Sequence, residues 1–238
     1  AEADAEMIAM LVESLLNSGL KEFQVSIGQI EYFKGLCAHA NLNEETEFEL
    51  REFISNRNDF AAKELLTENN ISEEDSNALL NVSGLFGSYD ILDKALEYAN
   101  NPRSLKAIER LKEVYEILKI YGVEKYISFD FAMVSKYNYY TGIIFNAYTY
   151  QTGSAIAKGG RYDNLLEKFG KPSPAIGFVV IIDDLVNALT RQKMCPEIEN
   201  KNILLVYDCE LTKAVSEASA KRSEGFSVVM LKKTESED

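Results

Sequence analysis

The chain has 238 residues, of which 46% are hydrophobic and 26% charged, and its formal net charge is −13. This length suffices for one large domain or for two of unequal size. The negative balance and the lack of any basic run argue against a nucleic-acid partner, which clustered lysine and arginine would bind. No apolar stretch reaches the roughly 18 residues of a membrane-spanning helix, so no membrane partner is expected.

The ends and the cysteines indicate where the protein resides. The chain opens on the acidic segment 1–4, not on a signal peptide or a methionine, so we expect the natural N-terminus upstream. Three widely spaced cysteines, Cys37, Cys195 and Cys209, fit a reducing, cytoplasmic compartment. Cys37 and the single histidine, His39, could ligate a metal. Because no further ligands stand at metal-binding spacing, we favour a structural role and predict neither a metal site nor a cofactor.

Apolar periodicity defines the first half of the chain. It predicts a helix over 3–18, a strand over 23–27, and a second helix that opens at Gly28 and runs to about Ala38. Residues 41–120 are rich in charged and amide side chains with helical repeats, which predicts a helical insertion between sheet-forming segments. Its charged faces indicate solvated surface, with contact to a partner as the alternative.

After Gly122 the period changes to two. This pattern predicts strands over 126–134, 142–150 and 176–182, in a largely antiparallel sheet. The continuous apolar run at the end of the last strand, 179–182, indicates full burial. A short helix over 185–192 is expected to pack on the sheet, with Asp183 and Asp184 suited to the positive end of its dipole.

The C-terminal segment has the pattern of one β-α-β unit. A buried strand over 203–207, a helix over 211–222 and a strand over 227–231 are joined as in a parallel crossover. The sequence therefore predicts an α+β fold with three parts: a core formed by 1–40 and 121–194, a helical insertion at 41–120, and a partial α/β domain at 201–238.

Two short motifs in the sheet-forming region suggest a ligand site. They are Tyr139-Tyr140-Thr141-Gly142 and Gly159-Gly160-Arg161-Tyr162-Asp163. A tyrosine offers a flat ring and a hydroxyl, which suits an imidazole ligand, although simple packing on the sheet is the alternative. Paired glycines allow close approach of a ligand or a strand, although an ordinary turn would also explain them. Neither motif is a phosphate-binding loop of the P-loop type.

Together, these motifs resemble the class II histidyl-tRNA synthetase core and its paralogue, the regulatory subunit of ATP phosphoribosyltransferase. The resemblance covers about residues 3–190 and implies a class II antiparallel sheet flanked by helices. It also implies a histidine pocket, in which Tyr140 and Tyr162 line the ligand and Tyr139 supports the strand from its other face. The residues it assigns to histidine binding are Tyr139, Tyr140, Thr141, Gly142, Gly159, Gly160, Arg161 and Tyr162.

The chain departs from the synthetase at two arginine positions. The synthetase has Arg-Gly-Leu-Asp before the first motif, and that arginine contacts the histidine carboxylate and ATP; here the position holds Ser135, and the adjacent Lys136 is expected to face away. The third class II motif ends in Gly-Leu-Glu-Arg, whose arginine clamps ATP; here the position holds Asp184. A like charge about 4 Å from a phosphate costs on the order of 1 kcal/mol even in water. These changes argue against aminoacyl-adenylate formation.

The resemblance therefore implies a regulatory subunit and not an enzyme, without catalytic residues. Its expected partners are L-histidine, a short-form ATP phosphoribosyltransferase catalytic subunit and a second copy of itself within a hetero-oligomer, in histidine biosynthesis. A divergent histidyl-tRNA synthetase is the alternative, and a scaffold that binds neither ligand is a third. Residues 201–238 carry six Lys/Arg against seven Asp/Glu, which does not favour a tRNA-binding domain.

Overall fold

The computed structural model describes residues 1–134, 139–195 and 201–233. The chain divides into two compact units, Ala1–Cys195 and Pro196–Asp238. Within the described ranges, every helix is too short or too polar to cross a lipid bilayer.

Helices account for about half of the first unit. In chain order they are α1 (Glu2–Asn17), α2 (Ile30–His39), α3 (Glu44–Ser55), α4 (Asp59–Glu68), α5 (Glu73–Asn81), α6 (Ile91–Tyr98), α7 (Pro102–Tyr121) and α8 (Ile182–Arg191). Side-chain oxygens of Asn43, Asn58, Ser72 and Asn101 accept backbone N–H groups at the starts of α3, α4, α5 and α7. Such N-caps satisfy amides that a helix leaves unpaired, and they separate the helices of this region from one another.

Among the described residues of this unit, six strands form one sheet. They are β1 (Gln24–Gln29), β2 (Phe86–Gly87), β3 (Ile127–Asp130), β4 (Ile143–Tyr148), β5 (Ala157–Arg161) and β6 (Ile176–Val180), in the order β2-β3-β1-β4-β5-β6. Only the β1–β3 pairing is parallel among these, because the helices from α2 to α7 connect the two strands. The predicted α+β fold with a largely antiparallel sheet is confirmed.

The sheet has two unlike faces. Val25, Ile27, Phe129, Phe145 and Ala147 point to one face, where they join the buried core. The helices α1 and α7 contribute to this core, α1 in contact with β6 and α7 in contact with β1. We call this side the core face, and the side to which the alternate residues point the tyrosine face, because Tyr140 lies there.

The predicted start of the second helix at Gly28 is wrong. Gly28 lies inside β1 and pairs with Ile144, and α2 begins at Ile30 with Gln29 as its N-cap. A Cβ at Gly28 would lie 2.9 Å from the carbonyl oxygen of Asp130. The glycine is therefore explained by close backbone approach and not by a helix start.

The alternative of an ordinary turn at the paired glycines is wrong, and so is the expected burial at the end of the last strand. Gly159 and Gly160 lie within β5 and not in a turn, since both are paired on each side by β4 and β6. The expected full burial of residues 179–182 is wrong: Val179 and Ile182 are 58% and 62% exposed, and Ile182 already belongs to α8. The cause is that β6 is an edge strand of the described sheet.

The second unit contains β7 (Asn202–Tyr207), α9 (Leu211–Ser223) and β8 (Ser227–Lys232), and its two strands pair in parallel as predicted. The expected burial of β7 is wrong, because Leu204 and Val206 are more than half exposed. Their neighbours on β8, Val229 and Leu231, are exposed as well. The helix buries only small residues, Ala214 and Ala218.

Candidate functional site

Among the described residues, Tyr139, Tyr140 and Tyr162 cluster beside the ends of β4 and β5. The ring centroids of Tyr139 and Tyr140 are 4.2 Å apart, and those of Tyr139 and Tyr162 are 6.3 Å apart with nearly perpendicular planes. The expectation that Tyr139 supports the strand from the other face is therefore wrong. The two residues precede β4, which begins at Ile143, so the alternation of a strand does not govern their directions.

Backbone hydrogen bonds hold the two sequence motifs together. The N–H of Thr141 donates to the carbonyl of Arg161 at 2.8 Å, and the N–H of Asp163 donates to the hydroxyl of Thr141 at 3.0 Å. The carbonyl of Gly142 accepts the N–H of Ile30, the first residue of α2, at 3.2 Å. Thr141 and Gly142 thus fix the approach to β4, and this geometry gives them a positioning role.

The adjacent glycines of β5 serve different faces of the sheet. A Cβ at Gly160 would lie 2.6 Å from the ring of Tyr140, so the tyrosine ring packs directly against this glycine. A Cβ at Gly159 would lie 2.5 Å from the ring of Phe145, which is fully buried in the core. The hydroxyl oxygen of Tyr162 would lie 3.0 Å from a Cβ at Gly177, which places that hydroxyl over β6.

Arg161 points away from the tyrosines. Its Nε donates to Oδ1 of Asp4 on α1 at 2.8 Å, and its Nη1 donates to Asp163 at 3.0 Å. Asp4 is 1% exposed and also lies 2.9 Å from Nη2 of Arg110. Burial alone would lower the pKa of Arg161, but the bonds to Asp4 and Asp163 outweigh it and raise the pKa. The guanidinium is therefore permanently charged and bound to carboxylates, which favours a role in stability over direct ligand contact.

A cavity of about 640 Å³ opens on the tyrosine face. Its walls come from the ends of β3, β4 and β5 and from the turn after α3. The lining residues are Ser55, Asn56, Arg57, Asp130, Ala132, Met133, Val134, Tyr140, Ile144, Asn146, Tyr148, Lys158 and Gly159. Of the residues predicted from the sequence, Tyr140 and Gly159 line it; the other predicted residues surround or support these two.

The charged groups of the cavity were missed by the sequence analysis. Nη2 of Arg57, in the turn between α3 and α4, lies 3.5 Å from Oδ2 of Asp130 at the end of β3, and Arg57 also donates to the carbonyl of Ser83. Asp130 accepts the N–H of Ala132 at 2.9 Å. Burial raises the pKa of Asp130, and Arg57 partly offsets this rise. No local sequence pattern predicts the contact between Arg57 and Asp130, because the two residues are far apart in sequence.

The third charged group is Lys158 on β5. It pairs with Asn146 of β4, so both side chains point to the tyrosine face. The amide nitrogen of Asn146 lies 3.1 Å from the hydroxyl of Tyr148. Among the residues that the structure describes, an aromatic wall, a carboxylate and two cations thus border the polar cavity, an arrangement that suits a small aromatic zwitterion.

The two altered arginine positions fall in different places. Asp184 lies in the first turn of α8, where one oxygen accepts the hydroxyl of Ser154 at 3.2 Å. An acidic group there is stabilised by the helix dipole and adds negative charge. Ser135 and Lys136 lie outside the described residues.

Comparison with known proteins gives related matches. The sequence model of the family described as histidyl-tRNA synthetase matches residues 1–185. An ATP phosphoribosyltransferase regulatory subunit of Acetivibrio thermocellus is 43% identical over 206 residues, which cover 87% of this chain and 49% of that protein. The chain spans about half to 60% of the length of the curated relatives it matches.

Two solved structures share the fold. The structure described as an ATP phosphoribosyltransferase regulatory subunit/histidyl-tRNA synthetase from Bacillus halodurans superposes with a TM-score of 0.82 at 31% identity, covering 99% of this chain and 60% of that one. A histidyl-tRNA synthetase from Nostoc sp. PCC 7120 superposes with a TM-score of 0.77 at 21% identity, covering 99% and 58%. The second match shows the fold alone.

Proposed function

Because the chain belongs to the histidyl-tRNA synthetase family, we propose that it is part of a non-catalytic regulatory subunit of ATP phosphoribosyltransferase that binds histidine. In this proposal the subunit is cytoplasmic, pairs with a second copy of itself, and joins a short-form catalytic subunit to transmit feedback inhibition. Relatives that carry the regulatory-subunit name at 43% and 40% identity support this assignment over the synthetase.

The observation that carries the proposal is Asp184. By the family resemblance, this position is the arginine that clamps ATP in the synthetase, and phosphoryl chemistry depends on such positive groups. Here the side chain is acidic and bonds to Ser154. A negative group at that position disfavours a bound triphosphate and leaves no reason to expect adenylate formation.

The tyrosine cluster supports histidine as the ligand. Tyr140 lines the cavity and packs over Gly160, while Tyr139 contacts both Tyr140 and Tyr162. An imidazole can stack on such a ring and exchange a hydrogen bond with a hydroxyl. Tyr140, Gly159 and Gly160 therefore form the proposed floor and wall of the imidazole site, held in place by Thr141 and Gly142.

Calorimetric titration of the full-length protein tests this function. We expect heat of binding with histidine and none with ATP. Tyr140→Ala should weaken histidine binding at least about tenfold, because the aromatic contact and its hydroxyl are both lost. Tyr121→Ala, at an exposed tyrosine near the end of α7, is the matched control and should bind as the wild type does.

Two results would replace the proposal by an alternative. Histidine-dependent ATP–pyrophosphate exchange would establish a divergent synthetase. A well-folded protein that responds to neither ligand would indicate a scaffold. The partner is tested separately, by purifying the full-length protein with the short-form catalytic subunit of the same organism and measuring whether histidine inhibits the complex.

A further inference from the structure

On the tyrosine face of β5, two positions that follow each other on that face can contact a ligand. Gly160 lies under the ring of Tyr140, and Lys158 points to the same face two residues earlier. Two residues of a strand span about 7 Å. This separation is comparable with that between the ring and the carboxylate of an amino acid such as histidine, so both contacts can be made by one ligand.

Lys158 is available for an anion. Among residues 1–134, 139–195 and 201–233, no carboxylate lies within ion-pair distance of its ammonium group, and its side chain is exposed at the cavity. Arg57, the second cation of the described lining, is already bound to Asp130 and to the carbonyl of Ser83. A free lysine at the wall of a cavity is a ready partner for a carboxylate.

The surroundings of Lys158 favour a carboxylate further. Asn146 is its direct partner across β4 and β5, and its amide group lies beside the hydroxyl of Tyr148. An amide and a hydroxyl can each donate to a carboxylate oxygen. Asp130, elsewhere in the same cavity, supplies the opposite charge for an ammonium group. A zwitterion is thereby oriented with its carboxylate toward β5.

We propose that Lys158, with Asn146, binds the carboxylate of the amino-acid ligand whose aromatic side chain lies against Tyr140. The inference rests on the proposed function. By the family resemblance, the synthetase contacts the histidine carboxylate with an arginine, and this chain has Ser135 at that position. The inference assigns this contact to a lysine of β5 instead. A lysine contributes a point charge on a flexible stem, so carboxylate recognition here depends on charge more than on bidentate geometry.

Paired titrations test the assignment. Histidine and histidinol, in which an alcohol replaces the carboxylate, are titrated into the full-length wild type and into Lys158→Gln. We expect the wild type to bind histidine about tenfold more tightly than histidinol, as for one charge-assisted hydrogen bond. Lys158→Gln should bind histidine about tenfold more weakly than the wild type does, and it should keep the wild-type affinity for histidinol. Lys158→Arg should recover part of the loss.

Control variants separate the possible results. Lys168→Gln, at an exposed lysine next to the turn that precedes β6, should leave both affinities unchanged. Equal weakening of both ligands in Lys158→Gln, or no change in either, would overturn the inference while histidine binding itself stands. Loss of the carboxylate preference in Arg57→Gln instead would assign the contact to Arg57. A wild type that binds neither ligand would overturn the proposed function together with this inference.

Discussion

The two faces of the six-stranded sheet use the same strands for different purposes. On the core face, Phe129 and Phe145 are completely buried, and Arg161 forms an ion pair with the buried Asp4. On the tyrosine face, Asn146 and Lys158 border an open polar cavity. Successive residues of a strand point to opposite faces, so a residue that stabilises the core can stand next to a residue that faces the ligand cavity. The effect of a substitution should therefore depend on which face it meets.

The largest effect is expected at Arg161, whose position in the motif suggested ligand contact. Arg161→Met removes one of the two arginine partners of Asp4, which is 1% exposed. Because Arg110 remains, we expect a cost at the lower end of the range for a broken buried ion pair, about 3 kcal/mol. Urea denaturation should show this loss of unfolding free energy, while histidine affinity of the folded variant stays within about twofold of wild type.

An exposed ion pair provides the control for Arg161. Arg103 on α7 is 45% exposed and lies 2.6 Å from Glu31, so Arg103→Met should cost less than about 1 kcal/mol. If Arg161→Met instead leaves stability intact and abolishes histidine binding, Arg161 acts on the ligand, and the division between the two faces is wrong.

The adjacent glycines of β5 sharpen the comparison, because the same substitution tests both faces. Gly159→Ala pushes a methyl group into Phe145 and the carbonyl of Gly177, neither of which can move freely, so we expect a loss of about 2 kcal/mol in unfolding free energy. Gly160→Ala displaces the half-buried ring of Tyr140 and brings a methyl group to 2.9 Å from the carbonyl oxygen of Ile143, a longer contact than the 2.7 Å to Gly177 at Gly159. It should therefore lose less stability but weaken histidine binding at least about tenfold.

Denaturation and calorimetry on both glycine variants decide between the two faces. Gly153→Ala is the control, because a Cβ at Gly153 meets no atom within 4 Å. Equal losses of stability and of affinity in Gly159→Ala and Gly160→Ala would show that the two faces are not independent.

The sequence predicted those parts of the fold that depend on local patterns. Helix α1 buries one stripe, Ile8, Leu11, Val12 and Leu15, and its periodicity was sufficient to place it. The strand β5 was hidden because its two glycines carry no side chain with which to alternate. The burial of residues 179–182 was overestimated, since composition does not distinguish an edge strand from a central one.

The candidate site was predictable only in part, for the same reason. The two motifs predicted Tyr140 and Gly159, which line the cavity, and Thr141, whose hydrogen bond to Asp163 joins the two motifs. Arg57 and Asp130 could not be paired from sequence, since their contact forms only when the turn after α3 meets the end of β3. Lys158 directly precedes the second motif, yet only the register of β5 shows that its side chain points to the tyrosine face.

The smallest effect is expected at Asp130, where the two functions of the sheet meet in one residue. Burial raises the pKa of Asp130, so its ionised form costs folding free energy at neutral pH. Asp130→Asn should therefore raise the unfolding free energy near pH 7, by less than about 1 kcal/mol. The gap should close as the pH falls through the raised pKa, because the wild-type carboxyl then becomes neutral as well.

Denaturation of both proteins at several pH values measures this gap, with Glu109→Gln, at an exposed carboxylate in the middle of α7, as the control that should show none. If Asp130→Asn is less stable at neutral pH, the contact with Arg57 outweighs the cost of burying the carboxylate, and the ion pair stabilises the fold. If it is more stable but binds histidine more weakly, the protein keeps a destabilising carboxylate because the ligand's ammonium group requires it. The second outcome is the one that the cavity's pairing of opposite charges leads us to expect.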